Sequence, residues 1–358
     1  MISNPSRKGV GIARSILSQP SKRSFGRIGI DMPPRVGIDI PKGQPGRVPT
    51  YDGHLDLETF RRIAFKPQKP ISLRTSREDS DRFMPAFKKW FKPIITGRFE
   101  DMGLTPYMSE YASTKVPYEL LLPSEPTPNS LSAFIEWLYA SPDPEKPYLA
   151  AHLYHQLTTA PPRARFIRFI GPLGLLIAGL EYNQQVPEHL RVRQLYVAQA
   201  PLDTLPQQLQ DDIPPPDLVT KAGVGDIYSS SLWMGLEPTY TPWHQDPNPN
   251  LFYQLYGSKI VRLLPPRHGR NLFNQVKSTI GGDQSASSST IRGEEMMEEG
   301  EEKQALFDSV WGKFAPEEMR TIRLARWNSL FIPKGWWHSF RSEGSVGRLN
   351  ASVNWWFR

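Results

Sequence analysis

The chain is expected to be mainly β with flanking helices, an α+β protein built on a double-stranded β-helix: a jelly-roll barrel of two facing antiparallel sheets. Three observations predict it. Short runs of aromatic and large apolar residues, stopped by Gly, Ser and Pro, recur through the C-terminal half. Apolar residues at helical spacing are concentrated earlier, where helices would buttress one side. Asn350, Ser352 and Asn354 share one strand parity, and Leu349, Ala351, Val353 and Trp355 the other, as in a strand with one face on a polar cavity.

A chain of 358 residues holds one large domain with an extension, or two domains. Residues 1–30 carry Arg7, Lys8, Arg14, Lys22, Arg23 and Arg27 with no acidic residue, so they hold +6 of the net +7. An Arg- and Ser-rich, acid-free start has the composition of a mitochondrial presequence, and also that of a plain basic tail. Import into the mitochondrial matrix is the expectation, a cytoplasmic location the alternative. The rest of the chain is close to neutral, which argues against nucleic acid as a partner. No apolar run approaches the length of a membrane span. The absence of cysteine excludes disulfides, thiol catalysis and cysteine-bound zinc modules.

Residues 31–65, punctuated by Pro33-Pro34, Pro41, Pro45-Gly46 and Pro49, read as a mostly extended lead-in. A helical N-terminal region, 66–160, follows. Asp79 to Phe91 puts Phe83, Phe87 and Trp90 on one stripe. Ser130 to Ala140 does so with Leu131, Phe134, Trp137 and Leu138, and Lys146 to Thr158 with Leu149, Leu153 and Leu157. Such stripes pack into a core. His152 and His155 stand i,i+3 with no acidic residue between them, so a structural role is expected rather than a zinc site. Residues 161–358 form the β domain, with an insertion over 267–326 whose acidic run, Gly293 to Glu302, reads as a solvated loop.

Within that domain His244-Gln245-Asp246 is followed by His338. In an extended strand residues 244 and 246 project together while Gln245 faces away. With a remote His they compose a two-His-one-carboxylate triad, which holds Fe(II) by one face and leaves the opposite face open. A His-x-Asp alone is common; its flanks give it weight. Leu251 to Tyr256 reads as a strand, Gly257-Ser258 as a turn and Lys259 to Leu264 as the returning strand, stopped by Pro265-Pro266. This hairpin brings Lys259 back beside the dyad. A lysine there needs an anion, and it is a strong orienting group for a carboxylate.

These residues carry a resemblance. Thr241 to Pro247, Leu251 to Lys259, Asn328 to His338 and Ala351 to Trp356 resemble the core of the Jumonji-C, cupin-like oxygenases. The likeness is greatest to the small hydroxylase type, typified by the asparaginyl hydroxylase of hypoxia-inducible factor, and it covers roughly residues 160–358. It implies that His244, Asp246 and His338 bind Fe(II). It also implies that Lys259 pairs with the distal carboxylate of 2-oxoglutarate, helped by the Thr241 hydroxyl, with Tyr196 near the same carboxylate. Asn250 and Asn354 would lie near the iron-chelating end. The implied reaction consumes 2-oxoglutarate and O2, releases succinate and CO2, and hydroxylates a substrate carbon.

The implied substrate is a protein side chain. Asp as the carboxylate ligand and the lack of reader modules tilt toward hydroxylation over histone demethylation. RNA-base hydroxylation occurs in the same family and stays open. A non-catalytic scaffold within a mitochondrial assembly is the reading from another class. Trp243, Tyr253, Trp336 and Trp337 would either rim a groove for an extended chain or pack in the core.

Overall fold

Strands buried on both faces organise this protein, seen here as a computed structural model that describes residues 46–96, 99–122, 130–161, 164–280, 301–313 and 315–358. The presequence-like segment, the lead-in as far as residue 45 and the acidic run as far as residue 300 lie outside the described residues. The strands are β1 (Thr50–Asp52), β2 (Ile71–Arg74), β3 (Phe91–Thr96), β4 (Phe99–Leu104), β5 (Lys115–Leu121), β6 (Phe166–Pro172), β7 (Leu195–Pro201) and β8 (Ile227–Leu236). They continue as β9 (Tyr240–Gln245), β10 (Asn250–Tyr256), β11 (Ser258–Leu264), β12 (Arg320–Ala325), β13 (Asn328–Ile332), β14 (Trp337–Ser342) and β15 (Leu349–Phe357).

Two sheets face each other. The larger has nine strands in the order β1-β2-β13-β10-β15-β8-β7-β5-β6, and the smaller has four, β12-β11-β14-β9. Leu251, Tyr253 and Leu255 of β10 and Val353, Trp355 and Phe357 of β15 point out of the barrel into a core shared with Phe134, Leu153 and Leu176 of the helical layer. The opposite parity points inward, where Phe252 meets Val261, Leu263, Leu330, Ile332 and Phe340. Behind the small sheet, Trp243, Leu264 and Trp337 pack on Leu272, Phe273 and Val276 of helix Pro266–Thr279 and on Leu306 and Val310 of helix Glu301–Trp311. With both faces of each sheet covered, β9, β10, β13, β14 and β15 are buried along almost their whole length.

Gly257 turns the chain at φ +73, a conformation that favours glycine. The turn was expected; its partners were not. β10 pairs with β13 and β15, whereas β11 pairs with β12 and β14, so β10 and β11 form a corner between sheets and not a hairpin. The corner delivers Lys259 to the barrel interior all the same.

The expected helices over Ser130 to Ala140 and Lys146 to Thr158 are Ser130–Tyr139 and Glu145–Thr159. His152 binds the carbonyl of Ile170 at 3.1 Å, a structural use. Asp79 to Phe91 is not one helix: Arg77–Phe83 and Ala86–Lys89 are separate, divided at Met84-Pro85. Proline lacks the N–H that an uninterrupted helix would need. Residues 57–65 are helical rather than extended, started by Asp56, whose carboxylate accepts from the Thr59 N–H at 2.9 Å. The region before residue 161 also supplies β1, β2 and β5 to the nine-stranded sheet, and β12 occupies the end of the expected insertion. Trp243, Tyr253, Trp336 and Trp337 are buried in the core and form no rim.

Close approach of β7 and β8 depends on Gly235, which lies opposite Tyr196. A Cβ there would fall 2.6 Å from the Leu195 carbonyl oxygen and 2.5 Å from Tyr196 Cδ2. The backbone cannot swing aside as a side chain can. Gly235→Ala is expected to cost about 1–3 kcal/mol and to displace Tyr196. Thermal melting checks it; an unchanged midpoint would contradict this packing.

Candidate metal centre and co-substrate pocket

The register of the small sheet assembles the triad. His338 on β14 lies directly opposite His244 on β9, so their side chains rise from one face as cross-strand neighbours, with ring centroids 4.2 Å apart. Asp246 follows the end of β9, and its carbonyl accepts from the N–H of Gly335, which turns the chain at φ +74 before β14. His244 Nε2 lies 3.7 Å from Asp246 Oδ1, and His338 Nε2 lies 3.5 Å from Oδ2. One ligand atom from each residue falls within 4.8 Å of the others, and all three residues are buried.

The donor set fits a metal ion. His244 Nδ1 bonds the Pro242 carbonyl at 2.9 Å and His338 Nδ1 bonds the Trp336 carbonyl at 3.0 Å. A carbonyl only accepts, so Nδ1 carries the hydrogen on both rings and the neutral imidazoles turn Nε2 lone pairs toward the carboxylate. Two lone pairs and an anion converge on one point. A cation satisfies that arrangement, and two imidazoles with one carboxylate suit Fe(II).

Asp246 is held in place by a chain of side chains. Trp233 Nε1 donates to Asn354 Oδ1 at 2.7 Å, Asn354 Nδ2 to Asn250 Oδ1 at 3.1 Å, and Asn250 Nδ2 to Asp246 Oδ2 at 2.9 Å. The direction is fixed at both ends, because an indole can only donate and a carboxylate can only accept. Asn250 and Asn354 therefore orient the carboxylate ligand as well as lining the cavity. Asn250→Ala is expected to weaken metal affinity about 10–100-fold, read by metal titration; wild-type affinity would sever the relay from the site.

Lys259 reaches the same cavity from β11. It is 3% exposed, and its ammonium bonds Tyr196 Oη at 3.3 Å and Ser352 Oγ at 3.1 Å. The rings of Phe252, Phe340 and Tyr196 surround it at 5.6, 6.0 and 5.7 Å from their centroids. Thr241, opposite Phe340, completes this end. The cavity measures about 450 Å³, and its lining includes all eight residues singled out in the sequence: Tyr196, Thr241, His244, Asp246, Asn250, Lys259, His338 and Asn354.

Sequence reasoning missed Ser352 as a partner of Lys259, Trp233 as the end of the relay, and Gln199. Gln199 lies in a bulge of β7 at φ +53 and lines the cavity. The shared parity of residues 350, 352 and 354 was the available signal for Ser352. Nothing in the sequence marks Trp233 or the bulge. Tyr228, 57% exposed beneath the Arg358 guanidinium, stands at the mouth with Ser229 and Trp356.

Residues 169–358 match the family model described as a cupin-like domain. Curated relatives include the lysine-specific demethylase JMJ30 of Arabidopsis thaliana, 29% identical over 162 residues (45% of this chain, 33% of the relative). Jumonji C domain-containing protein 5 of Drosophila melanogaster is 28% identical over 167 residues (45% and 36%), and lysine-specific demethylase 8 of Xenopus tropicalis is 26% identical over 163 (45% and 32%). The matched stretch thus spans about a third of the length of these relatives. A family match over more than half of the chain, on a barrel that brings together a His-Asp-His triad, settles the assignment: the chain belongs to the cupin-like family of Jumonji-C proteins.

Proposed function

We propose that this chain is an Fe(II)- and 2-oxoglutarate-dependent dioxygenase that hydroxylates a side chain of a protein substrate. The observation that carries the reading is the convergence of His244, Asp246 and His338 at one end of the cavity, with Lys259, Tyr196 and Thr241 at the other. When bound, Fe(II) supplies activation of O2 for oxidative decarboxylation of the keto acid to succinate and CO2, coupled to hydroxylation of a substrate carbon.

The chain's own residues do the rest. His244, Asp246 and His338 hold the metal by one face, and the relay from Trp233 keeps Asp246 turned toward it. Lys259 takes the far carboxylate of the diacid, with Tyr196 and Thr241 as hydroxyl donors beside it. Phe252, Phe340 and Trp233 wall the space between and exclude water, which strengthens the charge pairing. The mouth at Tyr228 and Trp356 admits the substrate side chain.

A second reading is lysine demethylation, favoured by the names of the Arabidopsis and Xenopus relatives. Both outcomes share one oxidation: a hydroxylated N-methyl carbon leaves as formaldehyde, whereas a hydroxylated ring or chain carbon keeps its oxygen. The test is succinate release from 2-oxoglutarate with Fe(II), followed by mass spectrometry of proteins treated with the enzyme. A gain of one oxygen supports hydroxylation; loss of methyl groups with formaldehyde supports demethylation; oxidation of RNA alone would redirect the substrate class. A protein that binds neither metal nor keto acid is the scaffold. Mitochondrial import is part of the proposal, supported by the composition of residues 1–30, and a cytosolic signal from a reporter fused to residues 1–35 would refute it.

A further inference from the structure

The polar face of β15 serves three parts of the barrel. Asn354 joins the relay to Asp246, Ser352 bonds Lys259, and Asn350 bonds a carboxylate outside the cavity lining, that of Glu237. Glu237 follows β8 and is 1% exposed. Asn350 Nδ2 donates to its Oε1 at 2.9 Å, and the Asn350 amide is itself set by Gln254 Nε2 at 3.0 Å and the Ser258 carbonyl at 3.1 Å. Its Oε2 accepts no hydrogen bond in good geometry, with Ser342 and the Gly344 N–H beside it. A Cβ on Gly344 would lie 2.1 Å from that oxygen, so the glycine lets the backbone close over the carboxylate. An asparagine or glutamine would serve Asn350 equally well. What a carboxylate adds is charge, and that charge is favoured by the Lys259 ammonium, which follows Ser258, whose carbonyl shares the Asn350 amide with Glu237.

We propose that Glu237 is a positioning residue for Lys259, and that it takes up a proton from solvent when a dicarboxylate docks on the Lys259 ammonium. The inference rests on the co-substrate reading above. Ionised, Glu237 attracts the Lys259 ammonium and repels an incoming anion; protonated, it leaves the full ammonium charge to the ligand. Burial pushes Glu237 up to about 7, against the opposing pull of Asn350 and Lys259, so both forms are populated near neutral pH. Of the groups around it, Asn350 on β15, Ser342 at the end of β14, Gly344 beyond it, and Ser258 before Lys259 are neutral. Lys259 is the cation that favours its charged form, with Tyr196 the titratable group bonded to that ammonium; Arg348 takes the Glu237 N–H on its backbone carbonyl, and Glu343, next to Gly344, is paired with Arg323.

A docked carboxylate favours the neutral form, so binding weakens as pH rises. For a group titrating near 7 and moved up by about one unit, roughly 0.4 proton is taken up per ligand at pH 7. The dissociation constant then grows about fivefold from pH 6 to pH 8. The experiment is titration calorimetry of 2-oxoglutarate into the full chain loaded with Mn(II), in buffers of different ionisation enthalpy. Glu237→Gln keeps an acceptor for Asn350 and is expected to lose this uptake and flatten the pH dependence. Asn350→Ala removes a bond that favours the anion and is expected to move the midpoint upward. Wild-type binding without proton uptake, or unaltered uptake in Glu237→Gln, overturns the proposal. Failure of the wild type to bind the dicarboxylate at all overturns the co-substrate reading with it, a different result from binding without a proton.

Discussion

His338→Ala is expected to fold, to lose its Fe(II), and to turn over 2-oxoglutarate at least about a thousandfold more slowly than the wild type. The side chain is buried, and its removal costs ring contacts with His244 and Phe340 but no part of the large apolar clusters. It frees the Trp336 carbonyl, an acceptor whose loss of one bond costs about 1 kcal/mol. A domain with stability in the usual range of about 5–15 kcal/mol survives that. The site does not. Without the Nε2 opposite His244, a metal keeps one imidazole and one carboxylate, and the face of three donors is gone. Metal content after gel filtration, read beside a thermal melt, separates the two effects. A well-folded His338→Ala protein with wild-type iron affinity would remove His338 from the ligand set.

The triad was legible because its chemistry is written in residue type and spacing. His244 and Asp246 are two apart, and the strand period puts them on one side; the approach of His338 follows from β9 and β14 pairing in register. Lys259 was legible for a different reason, since the Gly257 turn fixes how far the chain travels before returning. That reasoning reached the right place through the wrong partner: local sequence specifies the turn, while strand pairing across a sheet is decided by elements such as β13 and β14, far away in the chain. The relay shows the same limit. Asn250 and Asn354 are visible as polar residues at strand parity, but Trp233 meets Asn354 only once β8 lies beside β15. Tryptophans 243, 336 and 337 gave no way to choose between rim and core, because an indole serves both. The helical break at Pro85 and the cap at Asp56 are written in single residues, which an apolar stripe running across them masks.

Lys259→Met is expected to raise the dissociation constant for 2-oxoglutarate by about 30-fold or more, while leaving metal affinity unchanged and the apo protein no less stable. Truncating one member of a desolvated charge pair costs about 2–5 kcal/mol of binding, which gives that factor. Stability runs the other way. A buried ammonium is expensive to desolvate, and a methionine of similar length fills the space among Phe252, Phe340 and Tyr196. Loss of the cation does not strand an anion either. Lys259 is one of the influences holding Glu237 down, and without it Glu237 rises above its value of about 7 and stays protonated at neutral pH. Lys259→Arg is no rescue, because a planar five-donor fork does not match two neutral oxygens set between aromatic rings. A variant that binds less keto acid yet melts no lower assigns the ammonium to the ligand rather than to the fold. Undiminished binding of 2-oxoglutarate by Lys259→Met, measured by calorimetry, would place the distal carboxylate elsewhere and undo the orientation proposed for the co-substrate.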